Sequence, residues 1–161
     1  MTTNGLPKIQ LTQEGYDELV RELNELIEVK LPSVIKRVET ARGYGDLSEN
    51  AEYHSAKEDQ ELTETRIAEL QNVLNNATII SHTTKTSVVG IGSHVQVVIS
   101  SGKSKRKITF IIVGEFEADP KAGKVSSISP IGKALLGKKK GEKIEVEAPA
   151  GMSTYEILEI K

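Results

Sequence analysis

Cysteine is absent from the sequence, which excludes disulfides, thiolate zinc sites and thiol catalysis together. No uncharged apolar run reaches the roughly 20 residues that a membrane-crossing helix needs. The opening "MTTNGLPKIQ" has no basic stretch followed by an apolar core, so it does not read as a secretory leader, and a cytoplasmic protein is expected. Aromatic residues make up 4% of the chain, with two Phe, four Tyr and no Trp. Little material is left for an aromatic-lined binding pocket.

What is present describes a water-soluble chain of 161 residues, 37% hydrophobic and 27% charged. That length suits one ordinary domain or two small ones. The net charge of -2 conceals a split. Residues 1–76 carry eight Lys/Arg against fifteen Asp/Glu, whereas the remainder carries thirteen against eight. A charge change that coincides with a change of pattern predicts two domains with different partners. Neither half is basic enough to be a general nucleic-acid binder on charge alone.

Thr12 is a candidate N-cap, and Tyr16, Leu19, Leu23 and Leu26 then recur at three- and four-residue steps. Ile27, Leu31, Val34, Val38 and Ala41 continue the stripe after a shift near Pro32, which should bend or loosen one helix running to about Arg42. A second helix is expected over about Leu47 to Leu74, with Leu47, Ala51, Leu62, Ile67, Leu70 and Leu74 inward. Gly43-Tyr44-Gly45-Asp46 between them is too short for anything but an antiparallel hairpin. The pattern predicts an antiparallel coiled coil over residues 1–80, its distal half poor in apolar bulk. Beyond it the period changes to strands at 94–100, 107–114 and "KVSSIS", a closing hairpin around residues 148–151, and a short helix opened by Ser129-Pro130 with Gly137 at its end. Residues 81–161 therefore read as a small antiparallel sheet with one helix, an α+β domain. The linker falls at 81–88.

The hairpin tip, residues 43–53, carries more chemistry than a turn requires. Asp46-Leu47-Ser48-Glu49 fits a capping box, which accounts for Asp46 and Glu49 with no function. It does not account for Asn50 and Tyr53, which fall with them on one narrow stripe of the second helix's first turns. Two carboxylates cannot complete a magnesium shell, since that ion takes one or two carboxylates and otherwise water or phosphate oxygens. The stripe thus suggests half of a metal site, finished by another macromolecule, with two-metal phosphoryl chemistry as the fitting reaction.

"ARGYGDLSENAEYHSAKEDQELTETRI", followed by "IVGEFEAD" and "SPIGKALLGKKKGE", resembles the bacterial Gre-type transcript cleavage factors of the GreA branch over nearly the whole chain. The resemblance implies an N-terminal coiled coil that enters the secondary channel of RNA polymerase and an FKBP-like C-terminal domain that docks at its rim. By the same resemblance Asp46 and Glu49 help hold the second catalytic magnesium, and the polymerase itself cleaves the backtracked RNA. The factor would then have no active site of its own and no small-molecule substrate. Asn50 and Tyr53 match positions that orient water and the RNA 3′ end, Arg42 and Lys57 match an RNA-contacting basic spot, and Asp119, Ser129 and Pro130 match the docking surface. Lys57 stands where arginine is frequent, so a point charge replaces a bidentate fork. The acidic "KEDQELTETRI" and the lack of extra tip acids set the chain apart from the GreB relative and from inhibitory paralogues.

Weaker signals have plainer readings. His54 is expected to be solvated or to flank the seam, Lys138-Lys139-Lys140 to be a solvated turn, and Gly90-Ile91-Gly92 to be a glycine pair between strands without phosphate-binding character. An FKBP-like prolyl isomerase or chaperone is the rival reading. It is opposed by the short supply of pocket aromatics, Phe110, Phe116 and Tyr155.

Overall fold

The computed structural model describes residues 9–45, 49–80, 87–101, 104–148 and 151–161. The chain forms two compact units. One comprises Tyr16–Asn76 and the other Met1–Gly15 with Ala77–Lys161. The segments flanking the hairpin therefore group with the sheet unit. They form β1 (Ile9–Leu11) and β2 (Ala77–Ile79), a short parallel pair in which Ile9 faces Ala77 and Leu11 faces Ile79. This pair was not anticipated, because three-residue strands carry no readable alternation.

The helical unit contains α1 (Gln13–Glu25, whose first residues belong to the sheet unit), a π-turn over Leu26–Lys30, α2 (Leu31–Arg42) and α3 (Ala51–Asn75). The π-turn explains the shift in the hydrophobic stripe. Leu19 and Leu26 are seven residues apart, and a continued heptad would bring Ser33 and Thr40 inward. Val34 and Ala41 are buried instead, one residue later, while Ser33 and Thr40 are exposed. One extra residue per turn is what a π-turn inserts, and here the Leu31 amide donates to Leu26 O, five residues back. Pro32 follows directly, where a regular helix would require an N–H it lacks.

On α3 the buried positions are Ala56, Thr63, Leu70 and Val73. The first three are seven apart, the repeat of a coiled-coil seam. Two inward assignments made from the sequence are corrected: Leu62 is 62% exposed and Ala51 is exposed. Ile27, at 40%, also leaves the seam, turned outward within the π-turn. Thr63 takes the place expected of Leu62 because its hydroxyl donates 2.7 Å to Asp59 O inside its own helix, which satisfies it when buried.

In the sheet unit, β3 (His94–Ser101), β4 (Ser104–Val113), β5 (Lys124–Ser126), β6 (Lys143–Ala148) and β7 (Gly151–Ile160) form one sheet in the order β5-β4-β3-β7-β6. All neighbours are antiparallel except β4 and β5, which run parallel. That parallel edge was not expected from a simple meander. The helix α4 (Pro130–Leu135) covers one face, with Ser129 as its N-cap and Gly137 just past its end at φ 76°. Val95, Val97, Ile112, Leu135, Ile144, Tyr155 and Ile157 form the core between them. Leu135 is fully buried, so cutting it to alanine would cost about 2–5 kcal/mol.

Candidate functional site at the hairpin tip

The end of α2 is closed by tight turns. The Gly43 amide donates to Glu39 O and Thr40 O at 3.2 and 3.1 Å, Tyr44 N to Ala41 O at 3.2 Å, and Gly45 N to Arg42 O at 3.4 Å. Gly45 has φ 77°, a left-handed conformation that suits glycine. Asp46, with Leu47 and Ser48, lies outside the described residues.

The start of the next helix differs from the sequence expectation. The N-cap of α3 is Asn50, whose Oδ1 accepts from the Tyr53 amide at 2.9 Å. Glu49 lies in the turn before the helix and is exposed. Glu49 and Asn50 therefore do not share a helical stripe with Tyr53, which is the third helical residue. Asp-x-x-Glu and Asn-x-x-Tyr overlap here as two capping frames. Asn50 opens α3 in the second frame, and its amide also reaches α2, with Nδ2 2.8 Å from Ala41 O and 3.5 Å from Gly45 O.

The remaining tip residues divide by engagement. Arg42 is exposed, and its guanidinium has no partner among the described residues. Lys57 is half-buried, its Nζ 3.3 Å from Gln60 Oε1. Tyr53 is half-buried and meets the exposed His54 edge-on, with ring centroids 5.8 Å apart. Tyr44 is 75% exposed. The sequence reading passed over it, although an aromatic between two glycines was a usable signal.

Below the tip the arms are joined by charge. Arg37 on α2 donates from Nε to Glu52 at 2.6 Å and from Nη2 to Ser55 at 3.0 Å, and also binds Asp59. The hydrogen bonds it donates to Glu52 and then Asp59 hold its pKa above the ordinary arginine value. Farther down, Arg66 on α3 grips Glu22 with Nε and Nη2 at 2.8 and 3.2 Å. Its pKa is raised, chiefly by that same contact. Among the described residues no three His, Asp or Glu side chains converge as a metal site.

On the sheet unit, Asp119 caps the turn Pro120–Ala122, its carboxylate accepting from Lys121 N at 2.9 Å. Ser129 accepts from Gly132 N at 3.0 Å and donates to Ser126 O at 2.7 Å, and Pro130 begins α4. Both polar side chains fix backbone turns around β5. Ile128, next to Ser129, is 51% exposed and was not anticipated. A cavity of about 260 Å³ in this unit is lined by residues that include Thr12, Ile80, His94, Val113 and Glu117, but by no Phe or Tyr. Phe110 and Tyr155 pack in or against the core instead. No helix among the described residues is long and apolar enough to cross a membrane.

Two family models match the chain. "Transcription elongation factor, N-terminal" matches residues 9–79, and "Transcription elongation factor, GreA/GreB, C-term" matches residues 83–161. The chain is 44% identical to the transcription elongation factor GreA of Paracoccus denitrificans, over 97% of this chain and 99% of that one. It is 47% identical to the GreA of Clostridioides difficile, over 94% of each. Among solved structures, GreA factor homolog 1 of Thermus thermophilus is 27% identical, covers 96% of this chain and 99% of its own, and superposes with a TM-score of 0.44.

Proposed function

The chain belongs to the GreA/GreB family of transcription elongation factors, and from that premise we propose that it stimulates cleavage of backtracked RNA by RNA polymerase. The observation that carries this reading is the state of the tip. Glu49 is exposed directly beside the cross-tied Asn50, and Arg42, exposed and without a side-chain partner among the described residues, closes the facing helix.

The chain's part in the reaction is donation. Glu49, with Asp46, offers hard carboxylate oxygens of the kind magnesium prefers, and two such groups leave the rest of the shell to the polymerase and the RNA. A magnesium ion held there would supply activation of water and stabilisation of the leaving oxygen. Arg42 meets RNA phosphate as a fork and Lys57 as a point charge, while Tyr53 borders the RNA 3′ end. Asp119, Ser129 and Pro130, with the exposed Ile128, form the docking surface on the polymerase. Hydrolysis belongs to the polymerase, the factor having no nuclease activity of its own, and the cytoplasm is where the two meet. A prolyl isomerase is not favoured, since no Phe or Tyr lines the cavity: Phe110 and Tyr155 pack in or against the core, and Phe116 is 40% exposed at the surface. An inhibitory paralogue is not favoured either, given the relatives' shared identity as GreA.

The test is a cleavage assay on stalled elongation complexes. Replacing Asp46 and Glu49 with alanine should abolish stimulation while polymerase affinity stays within about twofold, as expected for side chains acting at the reaction centre. Stimulation by the double variant at the unsubstituted rate, or RNA degradation by the isolated protein, would overturn the assignment.

A further inference from the structure

We propose that Asn50 is the positioning residue of the tip: its carboxamide sets the direction of the neighbouring Glu49 by tying the end of α2 to the start of α3. This rests on the transcript-cleavage reading above and gives Asn50 a different role from water orientation.

The bonding capacity of the amide leads to this assignment. A carboxamide has two N–H donors and one accepting oxygen. Nδ2 lies 2.8 Å from Ala41 O and a longer 3.5 Å from Gly45 O, and Oδ1 receives the Tyr53 amide at 2.9 Å. A flipped amide would set oxygen against two carbonyls and nitrogen against an N–H, so the partners fix its orientation. The short bond to Ala41 O commits one donor to the hairpin itself. The stronger tie ends on Ala41, which is 1% exposed, so water does not readily replace it.

The consequence is geometric. The chain leaves α2 at Arg42 and re-enters a helix at Ala51. One side chain holds both banks, and Glu49 is the residue immediately before it. With the Asn50 backbone held at φ -85° and ψ 89°, the path into Glu49 is fixed at one end by the cap and across the gap by Ala41. Helix capping alone needs only the oxygen. The N–H donors are surplus to it, and one of them makes the bond that crosses the hairpin.

Asn50→Asp separates the two functions. Aspartate caps a helix as well as asparagine does, so the helical content should match that of the unsubstituted chain, while the lost bond to Ala41 O lowers the thermal midpoint modestly. It cannot donate to Ala41 O, and its carboxylate would repel that carbonyl. At saturating factor the maximal cleavage rate of Asn50→Asp and Asn50→Ala should fall about 10- to 100-fold, the penalty of a misplaced reacting group. The factor concentration for half-maximal effect should stay within about twofold, because docking is not involved. The magnesium concentration for half-maximal rate should rise, a change that a purely structural cap would not produce. Asn50→Asp with an unsubstituted rate and magnesium dependence would overturn the proposal, as would a loss explained wholly by weaker polymerase binding. If the unsubstituted chain failed to stimulate cleavage, the functional reading itself would fall, and the inference with it.

Discussion

Arg37 and Glu52 face each other across the two arms of the hairpin, Nε of one 2.6 Å from Oε1 of the other. The same guanidinium also holds Ser55 and Asp59, so one α2 residue engages two turns of α3. This helps to hold the distal hairpin closed where the fully buried seam residues are the small Ala41 and Ala56. The cluster is substantially exposed, at 39% for Arg37, so solvent screens it.

Arg37→Ala should therefore loosen the tip locally without unfolding the chain. Amide exchange in the first turns of α3 should accelerate about two- to fivefold, and strong salt should reproduce part of the effect in the unsubstituted protein. The sheet unit should not respond. The raised arginine pKa gives a sign as well: its contribution is complete below the ordinary arginine value and is lost only as pH rises through the higher folded value. Salt, rather than mild alkali, is the informative variable. Unchanged exchange in the variant would mean that the small-residue seam suffices alone.

The π-turn yields a deletion experiment. Val29 is 63% exposed within the turn and adds nothing to the seam. Removing Val29 restores an unbroken seven-residue spacing from Leu19 through Leu26 to Val34 and Ala41, but leaves Pro32 inside a regular helix. That change alone should destabilise the hairpin by about 3 kcal/mol, the cost of interior proline. Combining the deletion with Pro32→Ala should recover the loss. Thermal unfolding followed by circular dichroism reads both. If the deletion were harmless with Pro32 retained, the turn would not be an accommodation of register and proline.

Much of this was legible in the sequence, for physical reasons that also mark where legibility ends. Leu19, Val34, Leu70 and the Ser129-Pro130 helix start all speak through local periodicity and capping chemistry, and the structure places them as expected. The shift near Pro32 was visible as a broken stripe, though the π-turn that resolves it was not. The helix start at Ala51 was misplaced because two acceptor side chains four residues apart, Asp46 and Asn50, both satisfy the local capping rule. The bond from Asn50 to Ala41 O, nine residues back in the chain, is a long-range contact that the local rule does not show. Leu62 was misjudged because a hydroxyl that satisfies itself within the helix makes Thr63 as acceptable in the seam as leucine. Long-range features gave no local sign at all, foremost among them β1, β2 and the buried Glu117.

Glu117 gives the last prediction. It is 7% exposed, and its carboxylate receives the Thr12 amide at 2.8 Å, the Thr12 hydroxyl and the Gly114 amide at 3.2 Å. Thr12 precedes α1 and in turn accepts from Gly15 N at 3.0 Å, so the residue that caps the root of this helix is itself held by an acid 105 residues away in sequence. Gly15 makes room for it, since a Cβ there would stand 2.0 Å from Oε2 and 2.1 Å from Cδ of Glu117. Gly15→Ala must therefore displace the carboxylate and forfeit its three bonds, a loss of about 2–4 kcal/mol. Glu117→Ala forfeits the same bonds directly and should cost about 1–3 kcal/mol. The two losses should not add, because a methyl on residue 15 fits the space the shortened residue 117 vacates. A urea-unfolding cycle over the single and double variants should return a coupling of about 1–3 kcal/mol. Additive losses would show that the close approach of Gly15 serves the helix itself and not the carboxylate beside it.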